Sequence, residues 1–291
     1  MRMAGRRQSS NVVDQRGRGA RMAGGLGLGG LVIVALIAYL TGGNPLEALL
    51  GAVTRNGGVN LGGQQQSGEY VPTAEEEELK QFASQVLAGT EDVWSEVFAG
   101  MGRQYRAPKM VLFTGAVQSG CGGATKQTGP FYCSADESVY LDLSFFSEMR
   151  SQLGADGDFA YAYVIAHEVG HHVQHLLGTL DQAHQKMRSV DKVTANQISV
   201  RLELQADFYA GLWAHHDDKL FSSLERGDIE EGMNCATAIG DDRLQKNARG
   251  YVQPETFTHG TSKARKDWFT KGYETGDVRA GDTFSVAYDR L

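Results

Sequence analysis

The stretch that most restricts the fold is residues 158–177, which has the pattern of a buried helix carrying polar groups. The apolar run Tyr163-Val164-Ile165-Ala166 lies directly before His167, and Gly178 is a typical helix end. His171 follows four residues after His167, so both imidazoles project from the same side of a helix, one turn apart. Because polar groups on a buried helix face need partners, these two side chains indicate a site.

The spacing His-Glu-x-x-His on this helix is typical of a zinc centre. Imidazole nitrogens bind Zn²⁺ at about 2.0–2.1 Å, and two of them one turn apart can reach one tetrahedral ion. Glu168 lies beside His167, where a carboxylate can accept a proton from the attacking water and deliver it to a leaving amine. The alternative is an amphipathic helix with surface histidines, since His172 and His175 are also present. The apolar run before His167 favours the zinc centre.

A second long helix, predicted over residues 190–216, supplies the acidic groups that such a centre needs. Glu203 and Asp207 are four residues apart on one face. A catalytic zinc takes three protein ligands and keeps one position open. We therefore predict His167, His171 and Glu203 as ligands. Asp207 is placed to accept an N–H from a ligand histidine and to fix its tautomer.

The alternative for Glu203 and Asp207 is a solvated acidic face balanced by Arg201. This alternative is disfavoured because apolar residues surround the pair: Leu202, Leu204, Phe208 and Leu212. Small residues permit this helix to approach the first one closely: Ala206, Ala210 and Gly211. Ligation by His175 is disfavoured, since the helix would have to bend to bring a third turn to the metal.

Peptide hydrolysis also needs a group that stabilises the developing oxyanion. Four downstream side chains are candidates: Tyr209, His215, His216 and His259. His259 lies in a predicted loop, residues 257–262, directly before a helix, and loops on rigid scaffolds often carry such groups. We predict His259 as a catalytic residue, with capping of the following helix as the alternative.

Residues 22–40 contain no charged residue and end in the apolar run 31–40. A helix of this length spans roughly 28 Å, about one bilayer core. Six arginines precede the span: Arg2, Arg6, Arg7, Arg16, Arg18 and Arg21. This asymmetry predicts an N-terminus in the cytoplasm. A cleaved signal peptide is disfavoured because no small-x-small site follows Leu40, and a buried core helix is disfavoured by the polar, glycine-rich flanks.

The sequence therefore predicts four parts. Residues 1–21 form a cytoplasmic arginine-rich tail, 22–41 a transmembrane signal anchor, 42–71 a flexible linker, and 72–291 a folded domain outside the cytoplasm, in the periplasm. The net charge is −7 despite the basic start, so the folded domain is acidic. An acidic domain argues against a nucleic-acid partner.

Three cysteines are present, Cys121, Cys133 and Cys235. In an exported domain the first two, which lie close together, can close a small disulfide loop. A zinc knuckle is the alternative, but no CxxC or nearby histidine completes it. Cys235 is then a buried small apolar residue.

The remaining patterns predict a fold class that is mainly α with a small β-sheet. Thr73 followed by Glu76 is a capping-box pattern at the start of a helix. Residues 110–113 and 138–143 have the composition of strands, and we predict a hairpin-like pair beside the site. Residues 139–143 are a candidate edge strand for pairing with an extended peptide. Shorter helices are predicted over 229–239, 241–247 and 262–272.

Several separate blocks resemble a bacterial family of neutral zinc metallopeptidases, over nearly the whole chain. In order, they are residues 5–12, 129–133, 140–146, 154–159, 165–174, 203–207, 238–243 and 257–262. The resemblance implies an α+β zincin-like fold, one zinc ion and a peptidase site on His167, Glu168 and His171. The chain is also similar to membrane-associated peptidases whose HExxH is completed by a later ExxxD, which implies roles for Glu203 and Asp207.

The chain departs from that family at two positions. Relatives often have cysteine where this chain has Phe208 and Gly281. Both cysteines are missing together. The resemblance therefore implies that they pair in the relatives, and that packing of Phe208 replaces the link here.

Together these patterns predict a single-pass, membrane-anchored zinc metalloendopeptidase of the bacterial cytoplasmic membrane, acting on protein or peptide substrates. Two alternatives stay open. One is a non-catalytic, zinc-stabilised envelope protein that binds partners, and the other is a peptidase that is latent until a partner opens it. Glu168 separates the first alternative from an enzyme, since a structural zinc site is usually closed by four protein ligands.

Overall fold

The computed structural model describes residues 1–17, 70–153 and 157–291. The α-helices in these ranges are α1 (Ala74–Gly100), α2 (Ser144–Glu148), α3 (Asp158–Leu177), α4 (Thr179–Met187), α5 (Lys192–Phe221), α6 (Asp228–Ala238), α7 (Asp241–Arg249) and α8 (Ser262–Thr275). The strands are β1 (Val12–Asp14), β2 (Lys109–Phe113), β3 (Ala116–Ser119), β4 (Gly122–Thr125), β5 (Phe131–Cys133) and β6 (Ser138–Asp142). The fold is mainly helical with a small sheet, as the sequence predicts.

The main sheet has four strands in the order β1-β2-β6-β5, and β3 and β4 form a separate two-stranded sheet. Strand β2 pairs in parallel with β6, so the predicted hairpin-like pairing of these two segments is wrong. The long crossover through β3, β4 and β5 is what permits a parallel pair. The suggestion that residues 139–143 form an edge strand is also wrong, because β6 has β2 on one side and β5 on the other. Strands β1 and β5 are the two edges of this sheet.

Helix α1 begins where the capping box predicts. The Thr73 hydroxyl accepts a hydrogen bond from the Glu76 backbone N–H at 3.2 Å, and the Glu76 carboxylate accepts one from the Thr73 N–H at 2.7 Å. Both donors lie at a helix N-terminus, where the first turn leaves N–H groups unpaired.

Helix α5 packs against α3 on one side and α8 on another. Gly170 permits the first approach, because a β-carbon there would lie 3.1 Å from the Cα of Ala206. Gly211 serves the second approach instead, since a β-carbon on it would collide with the carbonyl of Phe269 on α8. On α5, Ala206 therefore faces α3 and Gly211 faces α8, so α5 lies between these two helices.

Residues 1–17 pack on the folded domain and do not form a separate tail, in contrast to the expected division at residue 21. Strand β1 pairs in parallel with β2. The guanidinium of Arg6 meets the buried carboxylate of Asp217, and the Gln85 side chain donates to the carbonyls of Met3 and Arg6. Ion pairs with acidic residues of the domain hold this basic segment in place.

The predicted transmembrane anchor, residues 22–41, lies outside the described residues, as does all of the linker except its last two positions. Among the described residues, no helix is both long enough and apolar enough to cross a membrane.

The disulfide between Cys121 and Cys133 is present, as predicted, and Cys235 is a buried free thiol. The position of Phe208 also agrees with the expected packing. A β-carbon on Gly281 would lie 2.5 Å from the Phe208 ring, so the two positions adjoin, and the ring fills the space beside the glycine.

Candidate metal and catalytic site

A cavity of about 550 Å³ lies between α3, α5 and the loop before α8, with β5 along its outer side. His167, Glu168, His171, Glu203 and His259 all line it. The chain thus brings together, from three separate segments, the residues that the sequence predicts as ligands and catalytic groups.

The donor atoms of three of these residues converge. One ligand atom each of His167, His171 and Glu203 lies within 4.8 Å of the others. His167 Nε2 is 3.2 Å from Glu203 Oε2, and His171 Nε2 is 3.5 Å from Glu203 Oε1. Two ligands at about 2.05 Å from a tetrahedral ion stand about 3.3 Å apart. The spacing and the N/O chemistry of these donors therefore fit Zn²⁺.

Asp207 lies behind His167, one helical turn beyond Glu203. The His167 Nδ1 is 2.8 Å from Asp207 Oδ1, so an N–H there donates to the carboxylate and leaves Nε2 directed into the cavity. Without a metal, burial lowers the pKa of His167, but Asp207 and Glu203 outweigh burial and raise it to about 10. A metal ion bound at His167 Nε2 would have to displace the proton of that nitrogen, as is usual for histidine ligands.

Two further side chains donate hydrogen bonds to Asp207, and the sequence patterns predicted neither of them. The Tyr163 hydroxyl donates to Asp207 Oδ1. Arg265 of α8 donates from Nε to Oδ2 at 2.8 Å and from Nη2 to Oδ1 at 3.0 Å. Tyr163 has a sequence signal, since it precedes His167 by one turn, whereas nothing local marks Arg265.

Gln174 is the corresponding partner of the other histidine. Its Oε1 is 2.9 Å from His171 Nδ1, and its Nε2 donates to the carbonyl of Leu202 on α5 at 2.7 Å. Each histidine of the site thus has its rear nitrogen held by a buried side chain, which orients Nε2 toward Glu203.

Glu168 is buried, with 8% of its surface exposed. Burial raises the pKa of its carboxyl, while the imidazoles of His171 and His167 and a hydrogen bond from the Tyr132 backbone amide lower it in part. A carboxyl whose pKa is raised toward neutrality is suited both to accept and to donate a proton.

His259 lines the cavity opposite α3, and Asp241 of α7 holds its loop. Asp241 Oδ2 accepts from the backbone N–H groups of Thr258, His259 and Gly260 at 2.7, 2.6 and 2.9 Å. The other oxygen is 3.3 Å from His259 Nδ1. Burial lowers the pKa of His259, but the carboxylates of Asp241 and Glu203 raise it overall. The helix cap is provided by Thr261, which accepts from the Ala264 N–H, so His259 is not the capping residue.

The other candidates for an oxyanion-stabilising group lie elsewhere. His215 and His216 contact the carbonyls of Tyr273 and Gly276 at the end of α8. Tyr209 is buried and lines a different cavity. His175 faces the carboxylates of Asp181 and Glu137 and is not part of the converging set. Of the four candidates, His259 is the one that the fold brings to the site.

His172, on α3, has a structural role beside the cavity. Its side chain is fully buried, its Nε2–H donates to the carbonyl of Arg106 at 2.6 Å, and its Nδ1 accepts from the Tyr132 hydroxyl at 2.9 Å. Burial lowers the pKa of His172 to about 4, so this imidazole is neutral near pH 7. It links α3 to β5.

A second acidic cluster lies at the start of α3. Asp158, Asp228 and Glu231 bring carboxylate oxygens together. The amino nitrogen of Met1 lies 2.7 Å from Asp158 and 3.3 Å from Asp228. This cation already partners the cluster, which therefore differs from the His-His-Glu set.

Comparison with known proteins gives a consistent result. Residues 1–284 match the model of the family described as "Putative neutral zinc metallopeptidase". The chain is 46% identical over 291 residues to "Uncharacterized protein YpfJ" of Escherichia coli K12, covering 98% of this chain and 99% of that protein. It is 43% identical over 205 residues to "Uncharacterized protein Rv2575" of Mycobacterium tuberculosis H37Rv, covering 67% of each chain.

No solved structure matches the chain significantly. The family match extends from the N-terminal segment through α8, and so covers every segment that contributes to the cavity. The family is one of zinc peptidases, which agrees with the His-His-Glu donor set. This chain belongs to the neutral zinc metallopeptidase family.

Proposed function

We propose that the protein is a zinc metalloendopeptidase that hydrolyses peptide bonds with one zinc ion held by His167, His171 and Glu203. The observation that supports it most is the convergence of these three donors within 4.8 Å, in a cavity that Glu168 also lines. Three protein ligands would leave one position of a bound ion open for water, and Glu168 lines the same cavity, as expected for a catalytic zinc site.

The reaction follows from where the side chains lie. When bound, zinc supplies a Lewis acid and lowers the pKa of its water toward about 7. Glu168 accepts the proton of the attacking water and passes it to the leaving amine. The imidazole of His259, held by Asp241, stabilises the developing oxyanion from the opposite wall.

We propose that strand β5 binds the substrate backbone. This strand, Phe131–Cys133, forms one edge of the main sheet, and its residues Phe131 and Tyr132 also line the cavity. An extended peptide can add to such an edge through main-chain hydrogen bonds. The disulfide at Cys133 ties this strand to the preceding loop.

The location of the domain is also a proposal. An extracytoplasmic domain, on the periplasmic side of the cytoplasmic membrane, is supported by the disulfide between Cys121 and Cys133, because disulfides persist in oxidising compartments.

The test uses the purified full chain and its Glu168→Gln variant. Each is analysed for bound zinc and assayed with fluorescent casein and a set of quenched peptides. We expect about one zinc per chain in both proteins, and activity lower by about 10²–10⁴-fold in the variant. Glu148→Gln, on the surface of α2, is the matched control and should be fully active.

Zinc retained by both proteins, without cleavage of any substrate by the wild type, would instead support the alternative of a zinc-stabilised protein that binds partners. Equal activity of wild type and Glu168→Gln would exclude the role of Glu168.

A further inference from the structure

Arg265 holds an unusual position behind the proposed zinc site. It comes from α8, a third helix that contributes no ligand, and is 2% exposed. Its partner Asp207 is fully buried. A buried charge without a partner is costly, so each of these two groups depends on the other.

The geometry of this pair fixes the carboxylate in rotation as well as in position. Arg265 bonds both oxygens of Asp207, one from Nε and one from Nη2. Rotation of the carboxylate would break one of these bonds. Oδ1 therefore stays directed at His167 Nδ1, 2.8 Å away.

Lysine could not replace this arrangement, since an ammonium is a point charge, whereas a guanidinium presents a planar fork. Nη2 of Arg265 also lies 3.3 Å from the Tyr163 hydroxyl, so the same group positions a second donor to Asp207. The start of α8 follows the loop of His259 directly, and Arg265 therefore connects that loop to the rear of His167.

We propose that Arg265 is a positioning residue for the metal: by holding both oxygens of Asp207, it fixes the imidazole of His167 in the orientation that binds zinc. This inference rests on the proposed ligand set. It adds a residue that borders the cavity and is not one of the proposed ligands.

The test is a double-mutant cycle on zinc affinity, measured by competition with a fluorescent chelator on the full chain. Arg265→Gln and Asp207→Asn are each expected to weaken zinc binding by about 10–100-fold. If Arg265 acts through Asp207, the double variant should bind zinc within about twofold of Asp207→Asn alone. If the fold-losses of zinc affinity in the two single variants instead multiply in the double variant, the proposal is overturned.

Arg201→Gln is the matched control, because Arg201 on α5 bonds the carbonyls of Thr283 and Val286 and does not contact Asp207. It should leave zinc affinity within about twofold of wild type. An equal loss in Arg201→Gln and Arg265→Gln would mean a general packing effect and would overturn the proposal.

If Arg265→Gln does not fold, Arg265→Lys keeps the charge and gives a second readout. The visible absorption bands of bound Co²⁺ should shift relative to wild type at full loading, since they report ligand geometry. Unchanged bands and unchanged affinity would overturn the positioning role. Wild-type protein that binds zinc but cleaves nothing would contradict the proposed function alone, and the cycle would still decide the role of Arg265.

A second inference rests on the packing of residues 1–17. Gly17 and Tyr70 adjoin so closely that a β-carbon on Gly17 would collide with the Tyr70 side chain. The described residues that flank positions 18–69, Gly17 and Tyr70, therefore lie side by side on the folded domain. The neighbouring residue Arg16, with 2% of its side chain exposed, forms ion pairs with Asp14 and with Glu77 of α1.

This geometry conflicts with a membrane between the N-terminus and the domain. A bilayer core is about 30 Å thick, whereas β1 is hydrogen-bonded to β2. Three of the arginines from which the sequence predicts a cytoplasmic N-terminus form ion pairs with the domain: Arg6, Arg7 and Arg16. The geometry points to residues 1–17 and the folded domain of residues 70–291 lying on the same side of the membrane.

Single cysteines test this arrangement in intact bacterial cells producing the full chain. Ser10→Cys places a thiol on the N-terminal segment and Ser189→Cys places one on the domain, at exposed positions in both cases. An impermeant maleimide should label both before permeabilisation, or both only afterwards. Labelling of one before and the other only afterwards would overturn the inference. The wild-type chain, whose one free thiol is buried, gives the background.

Discussion

The two walls of the cavity are built differently. The helical wall, formed by His167, His171 and Glu203 with Asp207 and Arg265 behind them, is buried on α3, α5 and α8. The outer wall, formed by β5 and the loop of residues 257–261, is a sheet edge and a connecting segment. His167 has 8% of its side chain exposed, whereas His259 has 50%. The difference indicates that the metal set is fixed by packing and that the substrate side stays accessible.

The largest effect is expected when the helical wall loses a ligand. Glu203→Gln keeps the shape of the side chain but replaces a carboxylate by a neutral amide. We expect zinc affinity to fall by more than the roughly 10–100-fold that loss of a supporting partner costs, and peptidase activity to fall with it. Zinc content after dialysis against a chelator measures this. Retention of zinc as tight as in wild type would contradict the assignment of Glu203 as a ligand.

A change in the outer wall should separate catalysis from metal binding. His259→Ala removes the proposed oxyanion-stabilising group, and we expect kcat to fall by about 10²–10³-fold while zinc affinity stays unchanged. Steady-state kinetics and chelator competition on the same preparation measure the two quantities. Activity within a few-fold of wild type would exclude His259 from the reaction.

The disulfide of the outer wall should contribute to stability more than to metal binding. Replacing both Cys121 and Cys133 by serine removes a cross-link between residues 12 apart. We expect the free energy of unfolding to fall by about 3 kcal/mol from the lost loop constraint, and KM to rise as β5 loosens. Urea unfolding monitored by circular dichroism tests this. A loss of zinc equal to that of Glu203→Gln would contradict the separation of the two walls.

The smallest expected effect is a dependence of the free energy of unfolding on pH, caused by His172, which joins α3 to β5. The pKa of His172 is about 4 in the folded chain and about 6.5 when unfolded. Between these values the unfolded chain binds more protons, so the free energy of unfolding falls as the pH drops through this window. The slope from this group is up to about 1.4 kcal/mol per pH unit.

Unfolding curves at pH 6.5, 5.5 and 4.5 measure the slope, since these values span the roughly 6.5 to 4 window. His172→Gln, which does not titrate, should give a flatter dependence. The same slope in the variant would show that other groups cause the acid sensitivity.

Local patterns predicted the elements that carry the ligands. Helix α3 has the predicted bounds, and the second long helix contains Glu203 and Asp207 as expected, although it extends to Phe221. Periodicity and helix signals act within about twenty residues, which is why they located these elements. They could not give strand partners, and the pairing of β2 with β6 was predicted wrongly for that reason.

Sequence alone determined which chemistry the chain can support: two imidazoles one turn apart, a carboxylate beside them, and a second pair of acidic residues at helical spacing. Only the tertiary structure decided that Arg265 holds Asp207 behind His167, that Asp241 holds His259, and that residues 1–17 belong to the domain. The physical reason is that these contacts join residues far apart in the chain. Such contacts depend on close packing of whole helices, whereas helical spacing is set by the backbone of a single segment.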